Sequence, residues 1–243
     1  MSKHPIRDLR PSIGYAILPL SALRCEIAPE PVPGAGFPAG DGGLSTFRIG
    51  YCSNRREQRE GMTSEEIIDR ILVDQQALRQ RVAELGQEIS EDYEGKDLVL
   101  ICVLKGGVVF LTDLMRTITI PHEIDFMAIS SYGLGQRESS GAVRLILDLK
   151  IDIAGRDVLI IEDIVDSGRT MDYLLRTFWA RTPSSLRVCT LLNKPSRRVL
   201  DVPLDYVGFD IPDEFVLGYG LDFDEKHRNL PAVAVLKKDY YGG

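Results

Sequence analysis

Apolar positions along the C-terminal three-quarters of the chain alternate between two rhythms. Leu78, Val82, Leu85 and Ile89 recur at spacings of four, three and four, the stripe of an amphipathic helix. Upstream, Thr63-Ser64-Glu65-Glu66 fits a capping box and predicts a helix start. Leu98–Leu104 is a continuous apolar run, which predicts a strand covered on both faces. A helical segment follows Gly106-Gly107 and extends through Arg116, and a strand is expected at Ile124–Ser130. The polar, glycine- and serine-rich stretch Gly133–Gly141 predicts a mobile connection. Strand-like runs at Val143–Leu149 and Val158–Ile161 precede a helix near Thr170–Arg181. Further strands are expected at Leu186–Leu192, Tyr206–Phe209 and Ala232–Leu236. Strand and helix alternating at these lengths predict an α/β fold with a mostly parallel central sheet flanked by helices.

The first 61 residues break this rhythm. They hold 7 of the 13 prolines and 8 of the 22 glycines, in runs such as Pro29-Glu30-Pro31-Val32-Pro33-Gly34. So few apolar groups do not offset the chain entropy lost on ordering, so 1–61 is expected to be a disordered extension and 62–243 the folded domain. Met62 is an alternative start for the native chain. The extension carries 8 basic and 6 acidic residues, leaving 21 and 30, so it is +2 and the remainder −9. That acidic balance argues against a nucleic-acid partner gripped through a broad basic face. An anionic small substrate stays open, because backbone amides and a bound cation supply local positive field. No run approaches the ~18 apolar residues of a membrane span, and Ile13–Leu23 is broken by Gly14 and Pro19. Cys25, Cys52, Cys102 and Cys189 form no C-x-x-C pair, and together these features favour the cytoplasm. His4, His122 and His227 show no metal-ligand spacing and read as surface residues.

Candidate chemistry concentrates where the strand Val158–Ile161 meets Glu162-Asp163 and then Asp166-Ser167-Gly168-Arg169-Thr170. In a parallel sheet, ligands bind where strands end and loops to helices begin. Gly168 allows a tight turn and close backbone approach, while Ser167 and Thr170 offer small hydroxyls to phosphate oxygens. Free amides at the next helix start suit an anion. The two carboxylates suit instead ribose hydroxyls, or Mg²⁺ and its waters. A plainer alternative is an acidic turn with Asp166 or Ser167 as helix N-cap, which leaves Glu162 and Asp163 unexplained.

An apolar strand, an acidic pair, two apolar residues and Asp-Ser-Gly-x-Thr resemble the phosphoribosyl pyrophosphate signature of type I phosphoribosyltransferases. Glu162-Asp163-Ile164-Val165-Asp166-Ser167-Gly168 is most similar to the hypoxanthine-guanine branch. The resemblance spans roughly residues 70–240. It implies that fold, with a small hood formed by the C-terminal segment. It also implies a phosphoribosyl site at Glu162, Asp163, Asp166, Ser167, Gly168, Arg169 and Thr170. Leu104-Lys105-Gly106-Gly107 resembles the pyrophosphate loop with a cis Leu104–Lys105 peptide, and Arg228 a second pyrophosphate contact. Ser131 and Tyr132 resemble the start of a closing loop that excludes water. Ile164, Lys194, Phe215, Val216 and Asp222 resemble the purine pocket, with Lys194 donating to the 6-oxo group. Glu162, Asp163 and Asp222 would be the residues toward Mg²⁺.

The implied reaction is attack by purine N9 on ribose C1 of phosphoribosyl pyrophosphate, with Asp166 as general base at N7, giving IMP or GMP. A homodimer or homotetramer is implied by resemblance alone. The competing readings are a xanthine-preferring or pyrimidine transferase, and a phosphoribosyl-pyrophosphate-sensing regulator that binds nucleic acid.

Overall fold

The computed structural model describes residues 64–131 and 143–241. The extension 1–61, Met62, Tyr132 and the stretch Gly133–Gly141 lie outside the described residues. In order, the elements are α1 (Ser64–Ile67), β1 (Ile68–Val73), α2 (Gln75–Asp92), β2 (Leu98–Leu104) and α3 (Gly107–Thr117). They continue with β3 (His122–Ser131), β4 (Val143–Leu147), β5 (Asp157–Val165), α4 (Arg169–Trp179), β6 (Ser185–Asn193) and β7 (Tyr206–Asp210). Two short strands, β8 (Val216–Leu217) and β9 (Val233–Leu236), end the series.

The main sheet has the order β4-β3-β2-β5-β6-β7, and only β4 runs antiparallel to its neighbour. Alternate residues of the central strands feed two separate cores. Leu98, Leu100, Cys102, Leu159 and Ile161 pack with Leu78, Val82, Leu85 and Ile89 of α2 and with Phe110 and Leu114 of α3. Val99, Ile101, Val103, Val158 and Ile160 pack with Met171, Leu174 and Phe178 of α4 on the opposite face. Burial on both faces is why β2 reads as an uninterrupted apolar run rather than an alternating one.

Several element boundaries differ from expectation in ways that matter. The capping-box helix stops after one turn, because Ile68–Val73 pairs with β9 as a strand. The long helix α2 starts only at Gln75, where the Asp74 carboxylate accepts the Ala77 amide at 2.8 Å. β5, for its part, does not end at Ile161. Its partner β6 continues, pairing Glu162 with Thr190, Ile164 with Leu192 and Val165 with Asn193. The acidic pair therefore sits in the sheet, not in the turn beyond it. His122 likewise opens β3 rather than lying in a loop.

The hood is a three-stranded antiparallel sheet ordered β1-β9-β8. The C-terminal segment supplies two of its strands, and β1, from the start of the domain, supplies the third. The segment after β8 turns through Gly218 and Gly220, with φ of 94° and 101°. A Cβ on Gly220 would lie 2.1 Å from the Gly106 carbonyl oxygen, so glycine here lets the hood touch the β2–α3 loop. Gly220→Ala is expected to destabilise by about 1–3 kcal/mol from the backbone conformation alone, with the clash adding to it. Urea denaturation checks this, as a lower transition midpoint.

Candidate active site

Three segments meet at the C-terminal end of the main sheet. The first is the end of β5 and the loop to α4. Gly168, at φ 83°, is the residue before α4, and a Cβ there would lie 2.4 Å from the Leu200 carbonyl oxygen. The Ser167 carbonyl accepts the amides of Val199 and Leu200, both at 3.0 Å, which holds the loop against that segment. The Ser167 hydroxyl lies 3.5 Å from the Arg169 amide, too long for a firm bond, so it stays available to a ligand. A cavity of about 180 Å³ is lined by Glu162–Gly168, Thr170 and Met171. Arg169 is exposed at the start of α4 and does not line it.

The carboxyls of this segment are not ordinary. Glu162 is 7% exposed, and its Oε2 is buried without a hydrogen-bond partner. Burial, then the neighbouring Asp163 charge, pushes its pKa well above the usual carboxylate range. Burial also raises Asp163, partly opposed by hydrogen bonds to its charged form. An unmatched acidic pair of this kind is costly to bury, and sites that bind cations or hydroxyl-bearing ligands tolerate that cost.

The second segment is the β2–α3 loop, where the Leu104–Lys105 peptide is cis. A Cβ on Gly106 would fall 1.6 Å from Asp163 Oδ2, so the loop lies directly on the acidic pair. The third is the hood loop. Lys105 Nζ pairs with Glu225 at 2.9 Å, and Glu225 also reaches Arg228 at 3.2 Å. Arg228 meets Asp222 at 2.8 Å and donates to the Gly220 carbonyl at 2.8 Å. The loop holds Asp224, Glu225 and His227 at φ of 54°, 63° and 70°. Lys105 and Arg228, from opposite ends of the domain, thus share one carboxylate.

A larger cavity of about 480 Å³ opens beside this group. Ile164, Asp166, Lys194, Phe215, Val216 and Asp222 all line it. Lys194 is 8% exposed, and its ammonium donates to the Glu214 carbonyl at 2.7 Å. Burial lowers its pKa, against the opposing pull of Asp166 and Asp213. Asp166 Oδ1 accepts from Arg197 Nε at 3.1 Å.

Comparison with known proteins agrees with this arrangement. Residues 70–224 match the phosphoribosyl transferase domain family. The chain is 52% identical over 180 residues to a hypoxanthine-guanine phosphoribosyltransferase of Mycobacterium avium, covering 72% of this chain and 88% of that one. It is 49% identical over 177 residues to the Streptococcus thermophilus protein of that name, covering 73% and 98%. This chain belongs to the hypoxanthine-guanine phosphoribosyltransferases. A crystal structure of a Staphylococcus aureus hypoxanthine phosphoribosyltransferase superposes with a TM-score of 0.71 at 42% identity, covering 75% of this chain and 99% of that one. The enzyme's activity is therefore phosphoribosyl transfer to a purine in salvage.

In this phosphoribosyltransferase, the donor set fits a hard divalent cation only in part. Among the described residues no three carboxylate, imidazole or thiol groups converge as a metal cage. Mg²⁺ is commonly held by one or two carboxylates, with substrate phosphates and water completing its shell. The orphaned Glu162 oxygen beside Asp163 meets that requirement, so the site fits the ion without closing around it.

Sequence reasoning missed four residues that the fold brings here. Glu225 occupies the cations Lys105 and Arg228, and Arg197 the carboxylate of Asp166. Arg198 reaches under the β5–α4 loop: its Nη2 donates to Asn193 Oδ1 at 2.5 Å, and its buried Nη1 has no partner. Tyr241 lines the larger cavity. No local pattern separates these side chains from ordinary surface charges and a terminal aromatic. Ser131 ends β3, while Tyr132 lies outside the described residues.

Replacing a buried, unpartnered carboxylate by a neutral amide removes its charge-burial penalty. In chelator-treated enzyme, Glu162→Gln is expected to gain about 1–2 kcal/mol of stability while losing turnover. Thermal melts beside rate assays check both directions.

Proposed function

We propose that this enzyme uses Mg²⁺ to transfer the 5-phosphoribosyl group from phosphoribosyl pyrophosphate to hypoxanthine and guanine, giving IMP or GMP and pyrophosphate. The observation that carries the reading is the single cavity lined by Asp166, Lys194 and Phe215, adjoining the smaller cavity of the phosphate loop through Ile164 and Asp166. The smaller cavity, lined by Ser167, Gly168 and Thr170, offers hydroxyls and close backbone to a 5-phosphate. The larger one matches a planar base.

Each residue then has a task. Thr170, Ser167 and the amides around Gly168 hold the 5-phosphate, and α4 begins at that point. Arg169 contributes its amide and a positive charge at the rim. Glu162 and Asp163 hold ribose hydroxyls or would hold Mg²⁺ through its waters, and Asp222 would be a further residue toward the ion. Mg²⁺, when bound, would supply positive charge to offset that developing on the leaving pyrophosphate. Lys105, the Gly106 amide and Arg228 bind that same pyrophosphate, which displaces Glu225 from the two cations.

At the base end, Lys194 donates to the purine 6-oxo oxygen, and a 6-amino group there would face a donor instead. Phe215 and Ile164 flank the ring, and Val216 meets its edge through backbone groups. N9 forms its bond to ribose C1 as the bond from C1 to pyrophosphate oxygen breaks. The proton on N7 passes to the Asp166 carboxylate, after Arg197 has given way. Positive charge growing on the ribose and negative charge on pyrophosphate are matched by carboxylates on one side and cations on the other.

A cytoplasmic homodimer or homotetramer, with its catalytic domain at 62–243, completes the proposal. Among the described residues no helix is long and apolar enough to cross a membrane. Residues 62–243 carry −9, which opposes the nucleic-acid-binding regulator. Asp166→Asn is expected to lower turnover by roughly 10²-fold with KM for both substrates little changed. Steady-state kinetics check this, and near-normal turnover assigns the general base elsewhere.

A further inference from the structure

Phe215 is not alone at the base pocket. Its ring stands edge-on to Phe223, at 6.0 Å and 85°, and lies tilted against Tyr241, at 5.4 Å and 32°. Phe223 in turn packs edge-on to Tyr240 at 6.3 Å. The C-terminal segment is pinned to reach this place. The Leu236 amide donates to the Phe215 carbonyl at 2.8 Å, and the Lys237 amide donates to the Ile67 carbonyl at 2.9 Å. A short turn, Lys238–Tyr240, then delivers Tyr241, whose own amide donates to the Lys238 carbonyl at 3.2 Å. Tyr241 lines the same cavity as Lys194, Ile164 and Asp166 while leaving it open.

We propose that Tyr241 is a base-binding residue, which extends the aromatic wall begun by Phe215 and holds the purine in its pocket. Two geometric facts carry the proposal. Tyr241 is 38% exposed in a cavity whose other aromatic wall, Phe215, is also 38% exposed, so both rings present apolar surface that a planar ligand covers. The separation and tilt of the pair fall in the range of attractive aromatic contacts, so Tyr241 also fixes the plane of Phe215. The pocket thus draws its polar selection from Lys194 and much of its apolar grip from Tyr241, which follows the turn Lys238–Tyr240. The inference rests on the reading of this cavity as the purine site.

The test is a set of three variants of the full chain, Tyr241→Ala, Tyr241→Phe and Phe215→Ala, assayed with hypoxanthine and guanine. Aromatic contacts to a base lost by alanine substitution are worth ~1–3 kcal/mol each, and 1.4 kcal/mol is tenfold. Tyr241→Ala is expected to raise KM for the base about tenfold, with KM for phosphoribosyl pyrophosphate unchanged. Tyr241→Phe should stay within about twofold of the parent, since the ring and not the hydroxyl makes the contact. Binding of IMP by calorimetry should weaken in parallel in the alanine variant, and its circular dichroism should match the parent. If Phe215→Ala raises the base KM and Tyr241→Ala does not, the proposal is overturned while the purine site stands. If neither variant moves it, the cavity is not the purine site and both readings fall. An equal rise in both substrates' KM with Tyr241→Ala marks the tail as merely structural, which also overturns the proposal.

Discussion

The continued pairing of β5 with β6, beyond the point where β2 stops, is the contact on which the site depends. β2 pairs with β5 only as far as Cys102 and Ile161, whereas β6 carries the ladder on to Val165. Four more residues of β5 are thereby held in extended geometry at the open end of the sheet. Two of them are Glu162 and Asp163. Because they sit on a strand, their direction is fixed by the ladder and not by a flexible turn. Gly106 then closes on Asp163 from one side, and Gly168 turns the chain away into α4 on the other. The acidic pair, the β2–α3 loop and the β5–α4 loop are thus arranged by one strand's extra length.

This arrangement is expensive in the resting protein, and the expense is local. The core beneath the site is ordinary: two apolar clusters, one on each face of the sheet. Above it lie, among the described residues, a carboxyl with an orphaned oxygen, an arginine nitrogen without a partner, and four non-glycine residues of the hood segment at positive φ, Tyr219, Asp224, Glu225 and His227. The cations Lys105 and Arg228 are satisfied for the moment by Glu225, an anion the chain supplies to itself. Under the proposed function, these are groups that a polyanionic sugar and its cation would complete.

Much of the fold was legible because strands buried on both faces leave continuous apolar runs. β2, β5 and β6 announced themselves in that way, and α2 did so through its spacing of four, three and four. The hood was harder. β1, Ile-Asp-Arg-Ile-Leu-Val, is a mostly exposed edge strand whose partner lies at the other end of the chain, so no local period marks it. The end of β5 differs from expectation for a related reason: charged residues look like a turn unless their partner strand is known. At the site, the phosphate loop stood out because turn, hydroxyls and carboxylates are adjacent in sequence. Glu225, Arg197, Arg198 and Tyr241 act through contacts made only on folding, and nothing near them in sequence foretells their partners.

Central to the proposal is that two adjoining cavities join a phosphoribosyl site to a 6-oxopurine site chosen by Lys194. Its most direct measurement follows pyrophosphate release from phosphoribosyl pyrophosphate and Mg²⁺ with hypoxanthine, guanine, xanthine, adenine and uracil in parallel. The account predicts release with hypoxanthine and guanine and background rates with adenine and uracil. Comparable rates with adenine or uracil would contradict it.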